Sequence, residues 1–314
     1  MMLTVTVPNA DLLHRLQGAA GAWADKVELI PWDMQAPLPS EVAAKVNLAI
    51  IGHYWEGKFD WNLLKTLPNL QIVQLPSAGY EHAAPFVPPG VTLCNGRGVH
   101  SAETAELAVG LILAMQRGIA DAREHQRNHQ WVFTHLDSLA DRRVIIVGNG
   151  SVGQALAARL KPFEVEIKMV AREAEANSNG TLVYPVKELV ELVENADIVA
   201  LAVPANAETY HLIDDEILTA MPDGALLVNV ARGTIVDQQA LLKHLQAGRL
   251  RAALDVTTPE PLPPDDPLWD APNVLITPHQ GGNTNAGYSR FGDLVQRQIN
   301  HLVSNEPLEN VVTK

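Results

Sequence analysis

The chain has a single cysteine, Cys94, which rules out an internal disulfide and any cysteine-rich metal site. Such sparse use of cysteine suits a reducing compartment, so a cytoplasmic location is expected. Basic residues are in the minority. Against 36 Asp and Glu there are 23 Lys and Arg, a formal net charge of −13. A surface of that sign repels a phosphate backbone, and nucleic acid is not an expected partner. No apolar run reaches the ~18 residues that a bilayer requires, so no membrane segment is expected. The opening stretch MMLTVTVPNADLL has no basic region followed by an apolar core, hence no expected secretory leader. Internal repeats and low-complexity segments are missing. No cluster has convincing metal-ligand spacing, and no metal is expected.

What is present is length and alternation. The 314 residues, 47% of them hydrophobic, suggest two domains of about 150 residues, each able to bury a core unaided. Leu3–Val7, Val27–Ile30, Leu48–Ile51, Leu70–Leu75 and Val91–Cys94 read as strands. Between them, Asn9 or Asp11 to Ala22, Ser40–Val46 and Asp60–Thr66 read as helices, and one long helix is expected over Ser101–Asn128. A second set follows. Its strands are Arg143–Val147, Val165–Val170, Asp197–Val203, Ala225–Val230, Ala252–Val256 and Val274–Thr277. Its helices are Val152–Leu160, Val186–Val193, Asp214–Ala220, Gln238–Gln246 and Thr284–Val303. Strand alternating with helix predicts parallel sheets covered on both faces, an α/β fold.

The strand Val144–Val147 runs into Gly148-Asn149-Gly150-Ser151-Val152-Gly153 and then a helix. This is G-x-G-x-x-G in the context that a dinucleotide needs. Gly148 permits the tight turn, Gly150 lets the backbone approach a pyrophosphate, and Gly153 lets helix pack closely on strand. The helix start at Ser151 and Val152 offers free N–H groups to the phosphates. The strand that follows usually ends in an acid for the ribose 2′-hydroxyl. Here it ends in Ala171-Arg172. A cation in that place can pair with a 2′-phosphate, so NADP(H) is the preferred cofactor and NAD(H) the second option.

Three later segments carry polar chemistry just beyond an apolar run: V-N-V-A-R-G at Val228–Gly233, L-D-V-T-T-P-E-P-L at Leu254–Leu262 and I-T-P-H-Q-G-G at Ile276–Gly282. Arg232, Asp255, Glu260 and His279 thus fall at the C-terminal edge of a parallel sheet, where ligands bind in such folds. A planar guanidinium can grip an acid through two parallel bonds. An imidazole with a pKa of about 6.5 can give and take a proton near neutrality. A carboxylate beside it favours the imidazolium. For Asp255, a structural role in a turn is a real competitor.

Taken together, these blocks resemble the D-2-hydroxyacid dehydrogenase family. Further signs are Ala105-Glu106 opening the long helix, Trp131, Val203-Pro204 and the run His211–Gly233. The P-E-P-L form and the missing ribose acid are most similar to the glyoxylate/hydroxypyruvate reductase branch. The resemblance implies two Rossmann/flavodoxin-like doubly wound parallel-sheet domains around a cleft. Residues 1–97 with 283–314 would form the substrate domain and 98–282 the dinucleotide-binding domain. It implies that Arg232 binds substrate, that His279 is the general acid/base and that Glu260 orients it. Asp255 would bond the nicotinamide carboxamide, and Val203, Pro204, Thr209, Val230, Ala231 and His279 would also contact the cofactor. The Ser77-Ala78-Gly79 loop would hold the substrate carboxylate, beside Arg232 and His279, although a plain turn explains it nearly as well. Tyr54, Trp55 and Trp131 could shape a substrate pocket or simply pack. The implied assembly is a homodimer and the implied substrate a small 2-oxo or 2-hydroxy acid.

Two departures bear on substrate choice: Gly79-Tyr80-Glu81 where G-x-D is usual, and Gln280 after the histidine. Two rival readings stay open, a phosphite-type dehydrogenase on the same scaffold and a non-catalytic dinucleotide-sensing protein. A formate enzyme is disfavoured, because that branch carries glutamine where Glu260 stands.

Overall fold

The structure, a computed structural model, describes residues 2–19, 21, 23, 25–174 and 182–312. The chain divides into two compact units, Met1–His100 with Asn283–Lys314, and Ser101–Gly282.

The first unit opens with β1 (Leu3–Val7), α1 (Ala10–Gly18), β2 (Val27–Pro31), α2 (Ser40–Ala43), β3 (Val46–Ile50), β4 (Ile72–Gln74) and β5 (Thr92–Cys94). All strands pair in parallel, in the order β2-β1-β3-β4-β5. Successive side chains of a strand point to opposite faces, and the sequence fills both. Val5, Val7, Leu48 and Ile50 pack into one core with Leu16, while Val46, Ala49 and Ile51 pack into a second with Leu64 and Leu75. Asn9 starts α1 by accepting the Leu12 N–H on its side-chain oxygen, a normal N-cap. The helix stops at Gly18. Its expected extension to Ala22 includes residues outside those described. The segment Asp60–Thr66 is a 3₁₀ helix over Trp61–Thr66, and Ser40–Val46 shortens to α2 because Val46 begins β3.

The second unit holds α3 (Ser101–Gln116), α4 (Ile119–Arg127), β6 (Arg143–Val147), α5 (Ser151–Leu160), β7 (Glu166–Ala171), β8 (Val183–Pro185), α6 (Leu189–Val193), β9 (Ile198–Leu201), α7 (Asp215–Ala220), β10 (Leu226–Asn229), α8 (Gln238–Gln246), β11 (Arg251–Leu254) and β12 (Val274–Ile276). Its seven strands run parallel in the order β12-β11-β10-β9-β6-β7-β8. Val144 and Ile146 of β6 feed one core, Ile145 and Val147 the other. The face of α3 is core: Ala105, Ala108, Leu111 and Ile112 are buried, and Leu107, Val109, Leu113 and Met115 pack against them.

The single long helix expected over Ser101–Asn128 is two. Gly118 adopts φ +56, a left-handed conformation open to glycine, and α4 restarts from it. The edge strand β8 was not legible because it has three residues and ends in a proline, which is tolerated at a sheet edge. The last helix, α9 (Asn285–Ser304), returns to the first unit, where Phe291, Leu294, Val295 and Ile299 enter the core beside Val5 and Leu16. None of the described helices is long and apolar enough to cross a membrane.

Candidate active site

In the second unit, β12, β11 and β10 lie side by side and parallel, so their C-terminal ends form one edge. Arg232 follows β10, Asp255 follows β11 and His279 follows β12.

The turn that carries Arg232 is folded by Asn229. Its side-chain oxygen accepts the Ala231 N–H at 3.0 Å, and its amide donates to the Arg232 carbonyl at 2.9 Å. At Gly233 any Cβ would stand 1.9 Å from the Thr257 carbonyl oxygen. Glycine here lets the arginine turn lie directly on the loop that leads to Glu260. Val230 and Ala231 are buried under that turn.

Asp255 is 2% exposed. Its carboxylate accepts from the Gln280 N–H and the Gly281 N–H, both at 2.8 Å, and from the Thr277 hydroxyl at 2.6 Å. Its carbonyl accepts the His279 N–H at 2.7 Å. The aspartate therefore shapes the turn that presents the histidine. His279 itself has φ +52, an uncommon backbone state for a non-glycine residue and one that surrounding bonds must hold.

The imidazole Nδ1 lies 2.6 Å from Glu260 Oε2, and the other carboxylate oxygen accepts the Thr257 N–H at 3.1 Å. Burial opposes charge on Glu260. The bond and charge of His279, the Thr257 N–H and the charge of Arg232 outweigh it and hold the carboxyl below its ordinary range. Arg232, Glu260 and His279 thus form one electrostatic group, with histidine and glutamate half-buried. Such a set can fix an anion and orient an imidazole through Nδ1.

Further along the same edge, the glycine turn joins β6 to α5. Gly148 has φ +126, and a Cβ there would sit 2.3 Å from the Ala202 carbonyl oxygen, just before Val203 and Pro204. At Gly153 a Cβ would meet the Gly148 carbonyl oxygen at 1.9 Å, whereas Gly150 faces open space. No side chain caps α5, so its first N–H groups stay available. The cradle fits a dinucleotide pyrophosphate. Ala171 ends β7 and Arg172 follows, 85% exposed, with its guanidinium 3.9 Å from Glu208. Thr209 donates its hydroxyl to the Pro204 carbonyl at 2.7 Å. Among the described residues, no group of three His, Cys, Asp or Glu could hold a metal ion.

The first unit has its own strand-end chemistry. Ser77-Ala78-Gly79 follows β4. The Ser77 hydroxyl donates to the Gly79 carbonyl at 2.7 Å, Asn95 donates to the Ala78 carbonyl at 2.7 Å, and the Gly96 N–H donates to the Ser77 carbonyl at 2.7 Å. The carbonyls are thus turned to the protein. Beyond β3 lies a ring cluster that the sequence reading missed. His53 stacks on Trp55 at 4.5 Å and meets His100, Tyr288 and Phe291 edge-on, and Trp55 donates to the Tyr288 hydroxyl at 2.8 Å. The only sequence signal was G-H-Y-W placed just past a buried strand. Tyr54 is largely exposed, and Trp131 is completely so, packing on none of the described residues.

Residues 109–281 match the family model for the NAD-binding domain of D-isomer specific 2-hydroxyacid dehydrogenases. The glyoxylate reductase of Thermofilum pendens is 35% identical over 269 residues, covering 82% of this chain and 79% of that protein. The chain belongs to the D-isomer specific 2-hydroxyacid dehydrogenase family. It lies in the glyoxylate reductase branch and is an NAD(P)-dependent oxidoreductase acting on the CH–OH group of 2-hydroxy acids. The glyoxylate/hydroxypyruvate reductase A of Arabidopsis thaliana is 33% identical, with 79% of each chain covered. Among solved structures, the NADPH-dependent glyoxylate/hydroxypyruvate reductase of Sinorhizobium meliloti, with NADP and malonate bound, is 28% identical. Its TM-score is 0.76, and the match covers 100% of this chain and 97% of that one. A family member from Xanthobacter autotrophicus, bound to NADPH, has a TM-score of 0.82 at 26% identity, covering 99% of this chain and 98% of that one.

Proposed function

We propose that this dehydrogenase reduces a small 2-oxo acid, with glyoxylate and hydroxypyruvate as the leading candidates, to the D-2-hydroxy acid, and that it prefers NADP(H) to NAD(H). The observation that carries this reading is the 2.6 Å pairing of His279 with Glu260 in the same charge group as Arg232. A pure dinucleotide sensor has no need of that arrangement.

The bound cofactor supplies the hydride that goes to the carbonyl carbon. Arg232 binds the substrate carboxylate and polarises the carbonyl oxygen, a task suited to a planar, permanently charged fork. His279 gives its Nε2 proton to that oxygen as negative charge develops there, and takes it back in the oxidative direction. Glu260, ionised and locked by Thr257, fixes the ring and stabilises the imidazolium that donates. Asp255 holds the turn on which His279 sits, and the remaining acceptor capacity of its carboxylate is available to the nicotinamide carboxamide. Gly148, Gly150, Ser151, Val152 and Gly153 hold the pyrophosphate, with Val203, Pro204, Thr209, Val230 and Ala231 lining the rest. Arg172 takes the 2′-phosphate. In the first unit, Ser77, Ala78 and Gly79 form the carboxylate-binding loop, and their inward carbonyls support this by leaving the loop's N–H groups for a ligand.

The enzyme works in the cytoplasm as a homodimer. Ile119, Trp131, Val132, Phe133 and Leu136 are 54%, 100%, 52%, 92% and 42% exposed, and α4 buries no residue. Two copies of Trp131 and Phe133 would bury about 800 Å² at ~200 Å² per ring. That approaches the ~1,200 Å² that begins the range of stable interfaces before any aliphatic contact is added.

A panel of 2-oxo acids, each assayed with NADPH and with NADH, tests the reading. Steady NADPH oxidation with a short 2-oxo acid is expected. No turnover with any 2-oxo acid, despite tight NADPH binding, would return the sensor to favour.

A further inference from the structure

We propose that Glu208 is a counter-charge that sets how sharply this enzyme distinguishes NADP(H) from NAD(H). This rests on the reading of Arg172 as the 2′-phosphate ligand and goes one residue beyond it.

The sheet order places β6 between β9 and β7. The glycine turn after β6 is therefore flanked by two loops, one leaving β7 with Arg172 and one leaving β9 with Glu208. Two residues far apart in sequence meet there, Arg172 Nη1 to Glu208 Oε2 at 3.9 Å. The β9 loop is fixed rather than loose. Asn206 accepts the N–H groups of Glu208 and Thr209 on its side-chain oxygen at 2.9 and 3.0 Å, and Thr209 ties back to Pro204. Both side chains of the pair stay open to solvent, 85% exposed for Arg172 and 66% for Glu208. A ligand can therefore reach either.

The strand end that usually carries an acid for the ribose carries Ala171 instead. Glu208 brings a carboxylate to that neighbourhood from the opposite side. Toward NAD(H), it can accept a bond from the free 2′-hydroxyl. Toward NADP(H), it acts in two unfavourable ways. It competes for Arg172, and it is a like charge near the 2′-phosphate. The pair thus works as a partner exchange, in which Arg172 leaves Glu208 for the phosphate. An exposed pair of this kind changes an equilibrium by at most ~fivefold, so the effect is tuning and not a switch.

The test measures binding of 2′,5′-ADP and of 5′-AMP by calorimetry to the wild type, Glu208→Gln, Arg172→Ala and the double variant. It is paired with kcat/KM for NADPH and NADH. Glu208→Gln is expected to tighten 2′,5′-ADP about threefold to fivefold, to leave 5′-AMP unchanged or slightly weaker, and to lose most of its gain at high ionic strength. Most of that gain should also vanish in the Arg172→Ala background. A mere structural disturbance would move both fragments alike, and that outcome would overturn the proposal. So would a silent Glu208→Gln in a protein where Arg172→Ala abolishes phosphate preference, and this result would leave the cofactor reading standing. If Arg172→Ala leaves the phosphate preference intact, the cofactor reading falls and takes this proposal with it.

Discussion

Two histidines stand just past the C-terminal ends of parallel strands, one in each unit, and they meet opposite fates. His279 follows β12, is half-buried and has a carboxylate 2.6 Å from its ring. His53 follows β3 and is 2% exposed. Its ring accepts the Glu56 N–H, and its Nε2 has no hydrogen-bond partner among the described residues. Burial first, and then the nearby His100, push the His53 pKa down to about 4. Since Nδ1 is the accepting atom, the neutral ring carries its proton on Nε2. The same residue type at an equivalent sheet edge is the proposed proton carrier in one unit and a neutral packing ring in the other. What differs is the company: a carboxylate and a guanidinium in one case, aromatic rings in the other.

The comparison breaks most directly at His279 and Arg232. His279→Ala or Arg232→Ala should lower kcat/KM by about 10²–10⁴ in a steady-state assay. His53→Phe, by contrast, should fall far short of that loss. If both histidine variants lost activity alike, the contrast between the units would be false. Glu260→Gln keeps the shape of the pair but removes its charge. It should cost roughly 10–100-fold in kcat for reduction, because a neutral amide no longer favours the protonated ring that donates.

The next effect is on stability. His53 binds its proton more weakly in the folded chain than in the unfolded one. Stability should therefore be complete above the unfolded value near 6.5 and fall as pH drops toward about 4, the window where only the unfolded chain is protonated. The loss is at most about 3 kcal/mol for a shift of this size. Denaturant titrations across that window should show a shallower fall for His53→Phe. Equal slopes would mean that His53 is not held neutral. A smaller effect concerns Cys94, whose thiol burial raises to about 11. Alkylation of the folded enzyme near neutral pH should be far slower than that of the unfolded chain.

Much of the candidate site in the second unit was legible because its chemistry is tied to backbone demands. Gly148 and Gly153 are required by carbonyl oxygens that any Cβ would strike. Such positions leave a fixed spacing that can be read without coordinates. Arg232, Glu260 and His279 were legible for a related reason: each lies within a few residues of the end of an apolar run. The role of Asp255 as the clamp on the Thr277–Gly281 turn was less legible, since its bonds to Gln280 and Gly281 span 25 and 26 residues. The His53 cluster joins residues as distant as Tyr288 and Phe291, and no local pattern marks such a meeting. The Arg172–Glu208 pair depends on β9 lying on the far side of β6 from β7, a fact of topology and not of spacing. The break at Gly118 was overlooked because one glycine within an apolar, helix-rich stretch is weak punctuation until its φ is known.

The most direct test is chemical rescue of the proton carrier. Single-turnover NADPH oxidation with the best 2-oxo acid should be slowed about 10²–10⁴-fold by His279→Ala, and added imidazole should restore part of the rate in proportion to its concentration. A His279→Ala enzyme that reacts at the wild-type rate without imidazole would contradict the account at its centre.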